Sequence, residues 1–205
     1  ASVGFDKVTV TGTENIMMAA VLADGTTHID NAACEPEVVD LAQYLNAMGA
    51  NIHGAGSSKI TIKGVEALGP AEHYAIMADR IEAGTYLVAA AMTKGDILIK
   101  GIDADFLHAV IHTLKKMGAE ISCSSDGIRC QMHSRPIACD ITTGVYPDFP
   151  TDMQAQLMVL NAIAKGTSHI QETIFENRFM HVQELIRMGA NLNINGNTVT
   201  AKGIS

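Results

Sequence analysis

The 205-residue chain is long enough for one large domain or two small ones, and 47% of its residues are apolar, ample for a core. Aromatic residues make up only 4% and Trp is absent, so Met and Ala carry much of the packing. A formal charge of −8 argues against nucleic acid or an anionic membrane as partner, and no apolar run approaches the ~20 residues of a spanning helix.

In chain order, residues 1–5 lead directly into a strand-like pattern, so no signal peptide is expected. A strand or loop over 7–10 precedes an apolar helix at 16–23, closed by Gly25, and a strand at 27–29. A second helix begins near Glu35-Pro36-Glu37 and ends at Gly49; strands at 51–53 and 59–63 flank a turn at 54–58. The same succession then recurs. Segment 73–77, a helix at 85–92, Gly95, a strand at 97–99 and a helix from about 103–105 come next. That helix carries an apolar stripe at Leu107, Val110, Ile111, Leu114 and Met117, and strands at 120–123 and 128–132 follow it. The third pass runs through 139–142, a helix at 153–164, Gly166, a strand at 168–170, a helix from near Asn177, and strands at 191–194 and 198–201.

Two markers recur at one step. Leu-x-x-Met-Gly-Ala occurs with its glycine at Gly49, Gly118 and Gly189, 69 and 71 residues apart (118 − 49 and 189 − 118). The helix-closing glycines Gly25, Gly95 and Gly166 keep steps of 70 and 71 (95 − 25 and 166 − 95). The chain therefore reads as three β-α-β-α-β-β units of α/β class. The first helix of each unit has no polar face and is expected to be buried all round, inside the sheets. Repeats of this kind define architecture and leave function open.

The chemistry is concentrated at residues 143–156. Thr143-Gly144-Val145-Tyr146-Pro147-Asp148 is rich in turn residues, and Pro150 suits a helix entry. Thr151 and Gln154 have the spacing of a capping box, which puts Asp152 on the first turn, where the helix dipole favours a carboxylate. On local pattern alone, helix capping is the simpler reading of Asp152; a general base or hydroxyl acceptor is the alternative.

The runs Phe149-Pro150-Thr151-Asp152-Met153-Gln154-Ala155-Gln156 and Glu172-Thr173-Ile174-Phe175-Glu176-Asn177-Arg178-Phe179-Met180-His181-Val182 resemble the UDP-N-acetylglucosamine 1-carboxyvinyltransferases. So do Asp79-Arg80-Ile81-Glu82-x-Gly84-Thr85 and Asn31-Ala32-Ala33-x-Glu35-Pro36-Glu37. These enolpyruvyl transferases carry out the first committed step of bacterial peptidoglycan synthesis, in the cytoplasm, and so serve cell-wall biogenesis, cell shape and division. The resemblance covers the whole chain. It implies an inside-out α/β barrel of two domains, each with three such units. Residues 1–77 would be the last unit of one domain and 78–205 two units of the other, with the crossover near 76–79. The family's catalytic cysteine loop and its Lys-Asn pair for phosphoenolpyruvate would lie upstream of Ala1, and its C-terminal basic residues beyond Ser205.

None of Cys34, Cys123, Cys130 and Cys139 matches the catalytic cysteine, and Cys34 stands where Arg is common in the family. Without a Cys-x-x-Cys pair, all four read as idle cytosolic thiols.

The family adds the sugar 3-hydroxyl to C2 of phosphoenolpyruvate and then eliminates phosphate. By resemblance, Asp152 takes the hydroxyl proton; a carboxylate with an ordinary pKa near 3.9 is a weak base but can accept the proton as the bond forms. Lys7, Val8, Thr9 and Val10 match a segment lining the uridine and diphosphate region, with Lys7 as a point charge for phosphate. Ile174 matches a contact to the UDP-sugar. Arg80 and Arg178 are candidates for anionic groups or for domain contacts. Of eight histidines, only His108 and His112 share a helix face, with no acidic third ligand beside them, so neither metal nor cofactor is expected.

The implied partners are UDP-N-acetylglucosamine and phosphoenolpyruvate. Two other readings stand beside this one: a non-catalytic UDP-sugar-binding or structural module, and the sister enzyme acting on shikimate 3-phosphate. A chain holding incomplete sets of repeats is expected to self-associate and, lacking the cysteine, to be inactive alone.

Overall fold

Helix formation in the first unit begins with a hydroxyl. The computed structural model describes residues 1–204, and in it the Thr9 hydroxyl accepts from the Gly12 amide at 3.2 Å while the Thr9 carbonyl accepts from the Thr13 amide. Helix α1 therefore spans Val10–Ala20, starting well before the apolar run at Ile16. Lys7 to Val10 are thus not a strand: Lys7 and Val8 lie in a loop, Thr9 is the N-cap and Val10 opens the helix.

The first of two compact units, Ala1–Met77, then follows the order read from the sequence. Strand β1 (Ser2–Gly4) precedes α1; β2 (Thr26–Asp30), α2 (Pro36–Ala47), β3 (Asn51–His53) and β4 (Lys59–Lys63) follow. The sheet order is β1-β2-β4-β3, with β1 parallel to β2 and the other pairs antiparallel. Period-two alternation sends Ile29, Ile60 and Ile62 inward against Met17, Val38 and Leu45.

The second unit runs from Ala78 onward and contains two repeats. Asp79 caps α3 (Arg80–Thr93), accepting from the Ile81 and Glu82 amides at 2.8 and 3.0 Å. This helix, too, starts ahead of its apolar run, and residues 73–77 form no strand. Strand β5 (Asp96–Ile99), a 3₁₀ turn (Ala104–Leu107), α4 (His108–Lys116), β6 (Glu120–Ser124) and β7 (Gly127–Gln131) complete the repeat, whose antiparallel sheet is ordered β5-β7-β6. The last repeat comprises β8 (Ile141–Thr142), a 3₁₀ turn (Thr151–Met153), α5 (Gln154–Ala162), β9 (Thr167–Gln171), α6 (Met180–Arg187), β10 (Asn191–Asn195) and β11 (Thr198–Lys202). Its sheet, β10-β11-β9-β8, repeats the first unit's order, again with one parallel pair. Helix α6 begins three residues after Asn177, which takes a left-handed φ of 57°.

No residue of α5 is exposed, as expected of a helix without a polar face. Helices α1 and α3 depart from that expectation, each leaving a stripe exposed: Thr11, Asn15 and Met18 on α1, and Glu82, Tyr86 and Met92 on α3.

The recurring Leu-x-x-Met-Gly-Ala phrase has one physical meaning in all three repeats. Gly49, Gly118 and Gly189 hold φ of 102°, 102° and 99°. The following alanine amide reaches back to the leucine carbonyl at 3.0 Å in each case: Ala50 to Leu45, Ala119 to Leu114, Ala190 to Leu185. This closes the second helix with a Schellman-type turn and points the chain into the hairpin. At the end of α3 the left-handed residue is Lys94, at φ 55°, rather than the expected Gly95.

A different glycine is fixed by crowding. A Cβ on Gly64 would lie 1.6 Å from the Ala23 carbonyl oxygen, whereas one on Gly49 would meet nothing within 4 Å. Gly49→Ala should cost about 1–2 kcal/mol through its backbone angle alone. Gly64→Ala should cost more, because the main chain must move aside. Chemical denaturation of the two variants checks this; equal losses would show that the sheet end yields to a Cβ.

Candidate active site around Asp152

Strand β9 carries its buried side chains at alternate positions, Ser168 and Ile170, and the alternation continues one step past the strand to Glu172, which is only 2% exposed. A carboxylate taken out of water must be met by donors, and Glu172 has them from three segments. Its Oε1 accepts from the Thr143 hydroxyl at 3.0 Å and from the Ile174 and Phe175 amides at 2.9 and 3.1 Å. Its Oε2 accepts from the Thr151 hydroxyl at 2.9 Å and from Gln154 Nε2 at 3.3 Å. Burial by itself would raise the Glu172 pKa. The hydrogen bonds from Ile174, Phe175, Thr151 and Thr143 outweigh it and hold the group below its ordinary value, so the carboxylate is ionised.

These bonds undo the expected capping box. The Thr151 hydroxyl donates to Glu172 and accepts from Arg178 rather than from a helix amide, and the Gln154 side chain donates to Glu172 and to the Arg178 carbonyl. The chain enters α5 through the 3₁₀ turn Thr151–Met153, which has no side-chain cap. Thr9, Asp79 and Pro150 each stand sixteen residues ahead of the repeat's glycine (25 − 9, 95 − 79, 166 − 150). The first two cap their helices through a side chain; proline has none to offer.

Asp152 sits on this turn. Arg178 Nη2 donates to its Oδ1 at 2.7 Å, and Arg178 Nη1 donates to the Thr151 hydroxyl at 2.7 Å. The guanidinium carbon also lies 5.0 Å from the centre of the Phe175 ring. The Asp152 side chain remains 54% exposed and open to solvent. Beside it, loop 143–149 is tied down at its base. Thr143 and Phe149 form a parallel bridge, the Gly144 amide donates to the Phe149 carbonyl at 2.9 Å, and Thr173 bonds Thr143 through both its amide and its hydroxyl. On the same loop, Tyr146 lies under Arg80, whose guanidinium carbon is 5.5 Å from the ring centre.

Among the residues singled out from the sequence, the second unit thus gathers Asp152, Arg178 and the Ile174 backbone around one carboxylate. Ile174 is 37% exposed, while Arg80 is buried against Tyr146. Lys7, Val8, Thr9 and Val10 belong to the first unit: Lys7 is exposed, and Val8 and Val10 pack against that unit's core. Glu172 and Thr151 were not read as functional, although the inward alternation of Ser168, Ile170 and Glu172 was a signal for the former. His181 was also missed. Its Nε2 is buried without a partner, and burial, then the nearby Arg178 charge, lower its pKa, so the ring is neutral at neutral pH. Each cysteine whose thiol pKa is shifted, Cys34, Cys130 and Cys139, is raised, first by burial, which opposes a nucleophilic role.

The family profile described as EPSP synthase (3-phosphoshikimate 1-carboxyvinyltransferase) matches residues 1–205. The chain belongs to this family. It is similar to the UDP-N-acetylglucosamine 1-carboxyvinyltransferase of Myxococcus xanthus (strain DK1622), with 55% identity over 203 residues, 99% of this chain and 48% of that protein. It therefore spans about half the length of that relative. Among solved structures it is similar to the enolpyruvyl transferase NikO from Streptomyces tendae, with a TM-score of 0.84 and 24% identity over 94% of this chain and 46% of that one. That likeness supports the inside-out α/β fold of the enolpyruvyl transferases, as the sequence resemblance implied. Among the described residues, no helix is long and apolar enough to cross a membrane.

The Glu172 pKa, lowered in the fold, gives a signed expectation. Its stabilising contribution is present above the unfolded value of 4.5 and fades as pH falls below it. Glu172→Gln should be less stable at pH 7 by about 1–3 kcal/mol, since one acceptor oxygen becomes an NH2 group facing buried donors. It should also lose less further stability than the unsubstituted protein as pH drops below 4.5. Urea unfolding at pH 7 and at acid pH checks both signs; parallel pH profiles would mean that Glu172 does not titrate as described.

Proposed function

We propose that this chain is the central part of an enzyme that transfers the enolpyruvyl group of phosphoenolpyruvate to the 3-hydroxyl of UDP-N-acetylglucosamine, in cytoplasmic peptidoglycan synthesis. The observation that carries the reading is the 55% identity, over 99% of this chain, to a protein of that name. The geometry around Asp152 is consistent with it: an exposed carboxylate held by Arg178 at a loop–helix junction. In this reading residues 1–77 are the last repeat of one domain, and the part from Ala78 holds two repeats of the other.

The sugar hydroxyl oxygen attacks C2 of phosphoenolpyruvate, its proton passes to Asp152, and an acid from outside this chain protonates the methylene carbon. In the elimination that follows, a proton leaves the methyl carbon as the C2–O bond to phosphate breaks, giving the enolpyruvyl ether and inorganic phosphate. Lys7 meets the diphosphate as a point charge, and Val8, Thr9, Val10 and Ile174 line the nucleotide sugar. Arg178 holds Asp152, and Arg80 steadies Tyr146 of the adjoining loop. The family profile is named for the enzyme acting on shikimate 3-phosphate, the second acceptor to test; assaying both acceptors decides between them.

In the complete enzyme, Asp152→Asn preserves the acceptor for Arg178 and removes the base. The expected result is a fall in kcat of about 10²–10⁴-fold with little change in UDP-sugar affinity, measured by phosphate release and by calorimetric titration. A folded variant with nearly full kcat would return Asp152 to a structural role. The 205-residue chain alone should release no phosphate from the same substrates. It should also run as an associated or loosely folded species in sedimentation, because incomplete repeat sets leave apolar faces such as that of Tyr86 and Met92 exposed. A monomer with sharp cooperative melting would refute the association.

A further inference from the structure

We propose that Glu172 is a positioning residue of the transfer reaction, acting through the Thr151 hydroxyl on the Arg178–Asp152 pair. This rests on the reading of Asp152 as acceptor of the sugar hydroxyl proton.

The direction of the relay is fixed by what each group can do. An ionised carboxylate only accepts hydrogen bonds, a guanidinium only donates them, and a hydroxyl has one proton to give. Thr151 stands between Glu172 Oε2, at 2.9 Å, and Arg178 Nη1, at 2.7 Å. Its single proton therefore points to Glu172, and a lone pair faces Arg178. Without that carboxylate the hydroxyl is free to rotate and can present its proton toward the guanidinium, where it repels.

The second terminal nitrogen of Arg178 holds Asp152 Oδ1 at 2.7 Å. The rigid fork of the guanidinium makes the two bonds interdependent: tilting it to follow a rotated Thr151 shifts the donor that fixes Asp152. Glu172 constrains the same arginine a second way. It binds the Ile174 and Phe175 amides, so it anchors the loop whose Phe175 ring lies against the guanidinium. Asp152 has no bond to Glu172 of its own; its connection to the buried carboxylate runs through Thr151 and Arg178.

A residue that merely stabilises the fold would change melting and leave kcat per folded molecule alone. A positioning residue changes kcat at unchanged ground-state affinity, since a small misplacement of a catalytic group can cost about 10²-fold. The decisive pair is Thr151→Val and Thr151→Ser in the complete enzyme, with phosphoenolpyruvate and UDP-N-acetylglucosamine as substrates. Valine keeps the branched shape and deletes the relay; serine keeps the hydroxyl.

The expected result is a loss of kcat of about 10- to 100-fold for Thr151→Val, KM for the UDP-sugar near that of the unsubstituted enzyme, and recovery of most of the loss in Thr151→Ser. Glu172→Gln should lower kcat in the same way. The Glu172→Gln/Thr151→Val double variant should be no slower than the slower single variant, because both cut one chain of bonds. Should Glu172→Gln fail to fold, the Thr151 pair alone still decides. Full kcat in folded Thr151→Val, a serine variant as slow as the valine one, or additive losses in the double variant would each overturn the relay. An unsubstituted enzyme that turns over neither substrate overturns instead the functional reading on which the relay rests, and the relay with it.

Discussion

A single buried charge organises the second unit's functional end. Glu172 sits where the inward alternation of β9 delivers it, and an ionised carboxylate in that position needs donors on both oxygens. They come from the base of loop 143–149, from the turn that opens α5, and from the loop after β9. Three stretches that are separate along the chain are thereby held at one point. Asp152, Arg178 and Phe175 take their places as a consequence, because each is one or a few residues from a group bonded to Glu172.

Repetition supplies the frame and departure from repetition supplies the site. The three helix–hairpin junctions are nearly superimposable in backbone angle and hydrogen bonding, down to the alanine-to-leucine contact. The entries to the first helices are not alike. Thr9 and Asp79 use their side chains to cap, a local and self-contained solution. At the corresponding position Pro150 cannot cap, and the turn after it carries Thr151 and Asp152, whose side chains are engaged by Glu172 and Arg178 instead. A helix start has thus exchanged its usual capping bond for contacts to Glu172 and Arg178, and the Asp152 side chain stays partly exposed.

The remaining polar groups of the same repeat are used to seat α5. Buried Asn161 exchanges two hydrogen bonds with the Cys139 main chain, and Arg135 donates to the Ile163, Ala164 and Ile204 carbonyls at the helix's far end. A helix enclosed on every side has no water to satisfy its terminal carbonyls, so a side chain must. With both ends fixed, the turn that carries Asp152 is held by the helix behind it as well as by Glu172.

The sequence by itself determined the repeat, the order of its elements and the hairpins, because apolar periodicity and left-handed glycines act through the local chain. It also placed Asp152 at a helix entry, since Pro150 permits little else there. It misjudged where helices begin: apolar runs mark the buried face, whereas the start is set by the cap, at Thr9 and Asp79. The capping box at Thr151 and Gln154 was correct in spacing and wrong in partner. Only the tertiary structure could decide the partners, because the acceptor of the Thr151 proton, Glu172, lies 21 residues on and arrives by way of a sheet, and the donor to its oxygen, Arg178, lies 27 residues on. The buried carboxylate takes the Thr151 proton and the Arg178 guanidinium, a charged donor, takes the lone pair that a helix-end amide would have used, and which groups meet there is a property of the assembled core.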